Sequence, residues 1–406
     1  MRDRLTRLVH TSPIYVVVGL AIVPMIVAAL AERVSGPPRA ALYASVGEEL
    51  ITFSVDVEQA TLTRQSSMML PGFVQEAWAS PSAPFLYVAW SNGGTSYNGT
   101  GVAPRGDRHG VTAFRVDGSG ALHAQGAPGA LRSRPIHITG DASGRHLLVA
   151  YNDPSGISVH DIRSDGSVGA EVPQPGGLDV GIYAHQVRVM PGNKGVILVT
   201  RGNQATSTTR EDPGAVKVLR YDDGKLANVA SIAPGRGIEF RSRHLDFHPT
   251  GPWVFLTLES QNRLDVFRRN GDTLNPEPLF STSTLASGGG VTAGQTTSTV
   301  HVHPNGQFVY VGNRGAAAGN FNEIAVFRIN QQTGEPTLIQ NIDTHGTTPR
   351  TFSLDPSARI LVVGNQTTAN LSVFRIRADG KLDYVNRYEV AVGKKPLWWT
   401  GLVPLP

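Results

Sequence analysis

The chain has 406 residues, with 45 glycines, 27 prolines, no cysteine and charged side chains at only 17%. This composition excludes coiled coils, collagen-like chains and charged disordered chains, and the lack of cysteine excludes disulfide scaffolds, thiolate zinc sites and iron–sulfur clusters. The net charge is +4, but no basic stripe with interleaved aromatic residues occurs, so the sequence predicts no nucleic-acid partner.

Residues 1–31 form a predicted targeting segment. Its positive charges are Arg2, Arg4 and Arg7, and an uncharged apolar run follows from 14 to 31. The run ends in a small-x-small pattern, which is typical of a cleaved signal peptide, but its length also suits an uncleaved membrane anchor. Either alternative predicts an exported protein, periplasmic or anchored to the inner membrane facing the periplasm. No second run of this kind occurs, so membrane contact is predicted only through this segment.

Beyond the targeting segment, one short pattern recurs seven times at intervals of roughly 50 residues. Each copy is a four-residue alternating strand, and most copies are followed by an Asp-Gly or Asn-Gly turn, as tight hairpins require. The copies begin at Leu50, Val111, Ile157, Val216, Leu264, Ile324 and Leu371.

A strand–turn–strand pattern precedes this strand in the repeats, most clearly at 243–256, 299–311 and 350–363. Each unit therefore has four antiparallel strands, which is typical of a propeller blade. Residues 42–66 lack a preceding inner strand, and 396–399 resemble an inner strand with no blade after it. We therefore predict an all-β, seven-bladed β-propeller over 40–406, closed by its C-terminal strand and preceded by a linker at 32–39.

Charged residues are predicted to collect at one rim of this ring, near the shaft. Counting outward from the hairpin turns predicts five facing pairs, namely Arg243 with Glu259, Ser298 with Arg314, Ile136 with Asn152, His185 with Arg201, and Arg350 with Gln366. Long Gly-rich loops leave the same rim, and long loops on a rigid scaffold usually carry binding functions. The sequence therefore predicts a polar pocket there for a small anionic ligand.

Three segments resemble the lactonase seven-bladed propellers, a family that includes 6-phosphogluconolactonase and the carboxy-cis,cis-muconate lactonizing enzyme. They are Arg243–Pro249, Val300–Pro304 with Asn313-Arg314-Gly315, and Pro349–Phe352 with Gly364-Asn365-Gln366. The resemblance implies hydrolysis of a small lactone, anionic and derived from a sugar or an aromatic pathway.

The resemblance also implies the site residues. Glu259 and His185 would transfer protons, with one of them activating the attacking water, while Arg243 and Arg314 would bind the anionic substituent and the developing oxyanion. No cofactor and no metal is expected. The small-molecule lactone is the expected partner.

Two alternatives stay open on the sequence. The same groups could close a lactone from a muconate-like acid, as a cycloisomerase does, or the chain could be a non-catalytic exported propeller that binds or scaffolds other molecules. Several residues also have structural interpretations. His137 and His244 are expected to be structural, His248 and His303 to stabilise turns, and Trp398 and Trp399 to pack at ring closure.

Overall fold

The computed structural model describes residues 39–93, 106–286, 293–315, 317–390 and 395–406. These residues form seven antiparallel sheets, which confirms the predicted all-β propeller. The predictions for the targeting segment at 1–31 and for most of the linker at 32–39 lie outside the described residues. None of the described residues belongs to a helix long and apolar enough to cross a membrane.

The first four blades follow one another along the chain. Blade 1 contains β1 (Ala40–Val46), β2 (Glu49–Asp56) and β3 (Thr61–Met69). Blade 2 contains β4 (Phe73–Ala79), β5 (Phe85–Ser91), β6 (His109–Val116), β7 (Leu122–Ala124) and β8 (Gly129–Ala130). Blade 3 contains β9 (Pro135–Gly140), β10 (His146–Asn152), β11 (Ser155–Ile162) and β12 (Val168–Glu171). Blade 4 contains β13 (Ala184–Val189), β14 (Gly195–Thr200), β15 (Ala215–Asp222) and β16 (Lys225–Ile232), followed by a 3-10 turn at Pro234–Gly237.

The last three blades have the same order from inner to outer strand. Blade 5 contains β17 (Ser242–Phe247), β18 (Trp253–Leu258), β19 (Arg263–Asn270), β20 (Thr273–Leu274) and β21 (Phe280–Ser283). Blade 6 contains β22 (Thr296–Val302), β23 (Phe308–Arg314), β24 (Glu323–Ile329) and β25 (Pro336–Asp343). Blade 7 contains β26 (Pro349–Leu354), β27 (Ile360–Asn365), β28 (Asn370–Ile376) and β29 (Leu382–Glu389).

The ring closes as the mismatched ends of the repeat predict. The final strand, β30 (Leu397–Pro404), pairs antiparallel with β1 and becomes the inner strand of blade 1. Because this pairing joins the two ends of the propeller chain, neither end leaves an open sheet edge at the seam.

Neighbouring blades pack through buried aliphatic and aromatic side chains and are tied by a recurring tyrosine. Tyr43 donates its hydroxyl to the carbonyl of Gly120 in the next blade at 2.7 Å, and Tyr87 does the same to Gly166 at 2.9 Å. Each acceptor lies in an Asp-x-x-Gly or Asp-Gly turn, so these turns hold blades together as well as joining strands.

The predicted turn role of two histidines is confirmed. Nδ1 of His248 accepts a hydrogen bond from the backbone of Gly251 at 2.7 Å, and Nδ1 of His303 accepts one from Asn305 at 3.2 Å. In a sister blade, Asp355 Oδ2 accepts the equivalent bond from the backbone N–H of Ser357 at 2.8 Å. An imidazole nitrogen therefore replaces a carboxylate oxygen as the turn acceptor.

Candidate functional site

A β-bulge recurs at the same position in the inner strand of every blade. In β4, for example, Val74 faces Trp90 and Glu76 faces Ala89, so Gln75 is the extra residue. The equivalent shifts occur in β9, β13, β17, β22, β26 and β30. A bulge bends its strand and redirects the side chains around it, so seven bulges at one level shape the wall of the shaft.

The residue after each bulge lines a central cavity of about 290 Å³ to which all seven blades contribute. These residues are Glu76, His137, Gln186, His244, Thr299, Thr351 and Trp399. His137 and His244, which are expected to be structural, both line this cavity. Trp399 belongs to the closing strand, as predicted, but it also forms part of the cavity wall.

Beside this cavity, Glu259 is surrounded by three arginines. Arg201 Nη1 donates to Glu259 Oε2 at 2.9 Å, Arg314 contacts Oε1, and Arg243 Nε lies 3.3 Å from Oε1. Arg201, Glu259 and Arg314 each follow the same position at the end of the second strand in blades 4, 5 and 6. Because these blades are neighbours, the repeat itself places the carboxylate between two guanidinium groups.

The electrostatic effect on Glu259 is strong because the side chain is only 2% exposed. Burial alone would raise the pKa of this carboxyl, but Arg201, Arg314 and Arg243 outweigh burial and lower the pKa to about 2. Glu259 is therefore an ionised carboxylate throughout the physiological range, and its oxygens are already engaged by arginines. A carboxylate of such low basicity is a poor acceptor for a proton from water.

The structure brings the sequence-predicted pair together, but with a different register. Glu259 donates its backbone N–H to Arg241, so Arg241 and not Arg243 lies opposite it. Likewise Arg314 faces Thr296 and not Ser298. The hairpin of blade 5 is centred slightly before Gly251, and the bulge adds one more residue to the inner strand. Together these two effects shift the predicted pairing by two residues.

A second carboxylate, Glu76, lies in the wall of the same cavity and in a different environment. Burial raises the pKa of Glu76 to about 7, although Arg350, the backbone N–H of Ala77, Arg243 and the Trp399 side chain all favour the ionised form. Ala77 N donates to Glu76 Oε1 at 3.3 Å. Glu76 therefore changes protonation near neutral pH, in contrast to Glu259.

Arg350 connects the two carboxylates electrostatically. Its guanidinium lies 3.8 Å from the ring centroid of Trp398, a cation–π contact. The pKa of Arg350 is lowered to about 9, mainly by burial and also by Arg314 and Arg134, while Glu76 and Glu259 oppose this shift. Arg350 is thus a buried cation shared by both acidic groups.

Three histidines complete the site. The ring of His244 lies 5.1 Å from that of His185 and 5.8 Å from that of His137, edge to face in both pairs. Burial, with Arg243 as the largest charged contributor, holds the pKa of His185 and of His244 well below the usual range. Burial and Arg188 lower the pKa of His137 to about 3. All three are neutral at physiological pH and can offer hydrogen bonds without adding charge.

The site as a whole carries an excess of positive charge. The described residues around it that interact electrostatically include two carboxylates, Glu76 and Glu259, and five arginines. These arginines are Arg134, Arg201, Arg243, Arg314 and Arg350. Guanidinium groups bind carboxylate and phosphate oxygens through paired N–H donors, so this arrangement favours an anionic ligand.

Sequence reasoning missed several of these residues. The predicted pairing places Arg201 opposite His185 and Arg350 opposite Gln366 at this rim, but it gives neither arginine a role in the site. Glu76 is the blade 2 counterpart of His244, and that shared position is the signal that could have identified it. Within the described ranges, no group of three or more His, Asp or Glu side chains could hold a metal ion.

Comparison with known proteins gives a consistent family match. Residues 40–398 match the family model described as "Lactonase, 7-bladed beta-propeller". The chain is 26% identical over 342 residues to the 6-phosphogluconolactonase of Pectobacterium carotovorum, covering 84% of this chain and 91% of that protein. It is 28% identical over 279 residues to the 6-phosphogluconolactonase of Bacillus subtilis, covering 67% of this chain and 75% of that protein.

Solved structures show the same fold. A protein from Lactobacillus plantarum superposes with a TM-score of 0.69 at 22% identity, covering 91% of this chain and 100% of that one. The periplasmic gluconolactonase of Pseudomonas aeruginosa superposes with a TM-score of 0.66 at 20% identity, covering 90% of this chain and 99% of that one.

Proposed function

The chain belongs to the seven-bladed β-propeller lactonase family, and from this premise we propose that it hydrolyses a sugar-type lactone that carries an anionic group. Relatives named 6-phosphogluconolactonase support a lactone hydrolase of the sugar-lactone type. The single observation that carries the anionic preference is the excess of buried arginines over carboxylates at the shaft.

The arginines have two tasks in this proposal. Arg243 and Arg314 bind the anionic substituent of the substrate and stabilise the negative charge that develops on the carbonyl oxygen. Arg243 is 1% exposed and Arg314 is 2% exposed, so little water competes with the substrate for either guanidinium. In such a water-poor site, fixed donors stabilise a developing oxyanion more strongly than they do in water.

Glu259 has a positioning role in this account, since its low pKa argues against the predicted role as proton acceptor. It holds Arg201, Arg243 and Arg314 together, which would otherwise repel one another. His185 remains beside this cluster as a neutral imidazole. We propose that it donates a hydrogen bond to the substrate rather than removing a proton from water.

The predicted location narrows the substrate class. Phosphorylated sugar intermediates stay in the cytoplasm, so an exported enzyme would meet sugar lactones whose charge comes from another group, such as a carboxylate. Fractionation of cells that express the full-length chain tests the export prediction. Recovery in the cytoplasmic fraction would contradict it and restore phosphorylated lactones as candidates.

Hydrolysis of a lactone panel tests the proposed function. Purified full-length protein would be assayed on D-glucono-1,5-lactone, its 6-phosphate and D-glucaro-1,4-lactone, with spontaneous hydrolysis subtracted. We expect turnover of the anionic lactones with a lower KM than that of the neutral one. No turnover of any lactone would contradict the proposal and favour a non-catalytic binding or scaffold function.

A further inference from the structure

We infer that Glu76 is the proton-transfer residue of this site, accepting a proton from the attacking water and returning it to the leaving ring oxygen. This inference rests on the proposed lactone hydrolysis and deepens it. The two carboxylates Glu259 and Glu76 have different surroundings in the shaft. Glu259 is engaged by three arginines, whereas Glu76 borders the central cavity and is influenced electrostatically by Arg350 and Arg243.

Glu76 has access to the central cavity. Among the described residues that line the central cavity, Glu76 is the only carboxylate, and Glu259 is not one of them. The cavity, at about 290 Å³, has room for a small ligand portion and water. A general base must border space that the attacking water can occupy, and Glu76 lines such a space whereas Glu259 does not.

The fold also places Glu76 close to the closing strand and to the effect of two arginines. The β4 bulge at Gln75 sets Glu76 on the cavity wall, next to blade 3 on one side and the closing strand on the other. Arg350 and Arg243 act on its carboxyl electrostatically, and Trp399 provides a hydrogen bond. The five arginines of the cluster do not line the cavity, but two of them act on Glu76, so Glu76 lies at the end of the cavity that adjoins the cluster.

The charged and titratable groups around Glu76 do not replace it as the base. His137 and His244 line the same cavity, but burial and nearby arginines make both weakly basic. His301 lies two residues after Thr299 in β22, toward the hairpin-turn end of the shaft, where its Nδ1 is 3.7 Å from Asp246 Oδ2. Arg188 pairs with the same aspartate at 2.9 Å. Glu76 is the acidic group on the arginine side of the cavity.

In the proposed hydrolysis, one proton passes from water through Glu76 to the leaving ring oxygen. The water oxygen bonds to the lactone carbonyl carbon while one water proton passes to the Glu76 carboxylate, and the carbonyl π electrons move to the oxygen that the arginines stabilise. When the carbonyl re-forms, the bond to the ring oxygen breaks and that oxygen takes the proton from Glu76. The product is a hydroxy acid, which loses its own acidic proton to solvent, and Glu76 returns to its carboxylate form.

A pH–rate profile of Glu76→Gln tests the inference. In the parent, kcat/KM on D-glucaro-1,4-lactone should rise with pH and level off above about 7, since the base must be ionised. Glu76→Gln keeps the side-chain shape but cannot take a proton, so we expect a loss of about 100-fold or more and disappearance of the rising limb.

Glu323→Gln is the matched control. Glu323 is also a buried carboxyl with a raised pKa, caused by burial, but it lies in the third strand of blade 6 and accepts from Asn341 at 2.6 Å. Its substitution should leave kcat/KM within about threefold of the parent value, and the rising limb should stay at the same pH. Circular dichroism and thermal unfolding would establish that each variant is folded.

The outcomes separate the two proposals. Suppose that the parent hydrolyses the lactone and that Glu76→Gln keeps the rising limb and a kcat/KM within about threefold of the parent. This result would overturn the role of Glu76 and leave the proposed function standing. A limb that survives in Glu76→Gln but disappears in His301→Gln would also overturn it, in favour of His301. A parent that hydrolyses no lactone in the panel would overturn the proposed function, and this inference with it.

Discussion

The two sides of the shaft each hold one carboxylate, and the two carboxylates differ in basicity. On the Glu259 side, blades 4 to 6 contribute Arg201, Arg243 and Arg314 around one acid, and the pKa of Glu259 falls to about 2. On the Glu76 side, blade 7 contributes Arg350 and blade 1 contributes Trp398 and Trp399 around the acid of blade 2, and the pKa of Glu76 rises to about 7.

The difference shows how one repeat can produce two kinds of acid. Burial raises the pKa of both carboxyls, so the number of direct arginine contacts decides the result. With three arginines, the acid becomes a fixed counter-ion. Glu76 forms no ion pair with an arginine among the described residues, and its pKa near 7 suits proton transfer.

The largest expected effect is that of Glu259→Gln on stability. Removing this charge leaves three buried arginines without their common counter-ion, and breaking a buried ion pair typically costs about 3–5 kcal/mol. Chemical denaturation of the variant measures this change in the free energy of unfolding. The control is Glu389→Gln, because Glu389 pairs with Arg387 at 2.7 Å on an exposed surface and should cost under about 1 kcal/mol. Equal effects in both variants would contradict the counter-ion role.

Acid should destabilise the fold through the histidines between the two sides. His137, His185 and His244 have lowered pKa values when folded, so their stabilisation is complete above about 6.5 and is lost as pH falls. Glu76 acts in the opposite direction over the same range, because its folded pKa is raised. Three groups outweigh one, so the Tm should fall on acidification, and a Tm that rises would contradict this account.

Arg314→Ala should affect ligand binding more than chemistry. Loss of one guanidinium from the Glu259 side should raise the KM of anionic lactones about tenfold or more, as expected for a lost charged hydrogen bond, and spare neutral lactones. Steady-state kinetics on the two lactone types gives the comparison directly. An equal rise in KM for both types would remove Arg314 from anion recognition.

The fold was largely predictable from the sequence because each blade carries its own turn and strand signals. The seam was predictable too, since 42–66 lacked an inner strand and 396–399 supplied one. The meeting of Glu259 with Arg243 and Arg314 followed from placing equivalent strand ends on one rim.

The Glu76 side was not predictable in the same way. Blade 2 lacks the clear Pro-x-Gly turn that located equivalent positions in blades 5 and 6, so Glu76 was never aligned with His244. In addition, strand counting assumes an unbroken ladder. A bulge in each inner strand adds one residue and therefore decides which side chain reaches the cavity. The alternation of apolar and polar residues does not reveal where such a bulge occurs.

The smallest expected effect is that of Trp399→Phe on the pKa of Glu76. The Trp399 side chain forms a hydrogen bond that favours ionised Glu76, so Trp399→Phe should raise the pKa of Glu76 further. A neutral hydrogen bond contributes about 1 kcal/mol, which corresponds to a shift of roughly half to one pH unit in the rising limb of kcat/KM. Trp398→Phe is the control, since that ring contacts Arg350 instead. A limb that moves equally in both variants would point to a general loosening of the closing strand.

The most direct test of the contrast between the two acids is a titration of both carboxyls in one sample. Carbon-13 NMR of glutamate-labelled protein, with the two signals assigned through Glu76→Gln and Glu259→Gln, follows each carboxyl independently of catalysis. The account predicts that Glu76 titrates near pH 7 while Glu259 stays ionised down to about pH 3 or below. Two signals that titrate together near the usual glutamate value, or in the reverse order, would contradict it.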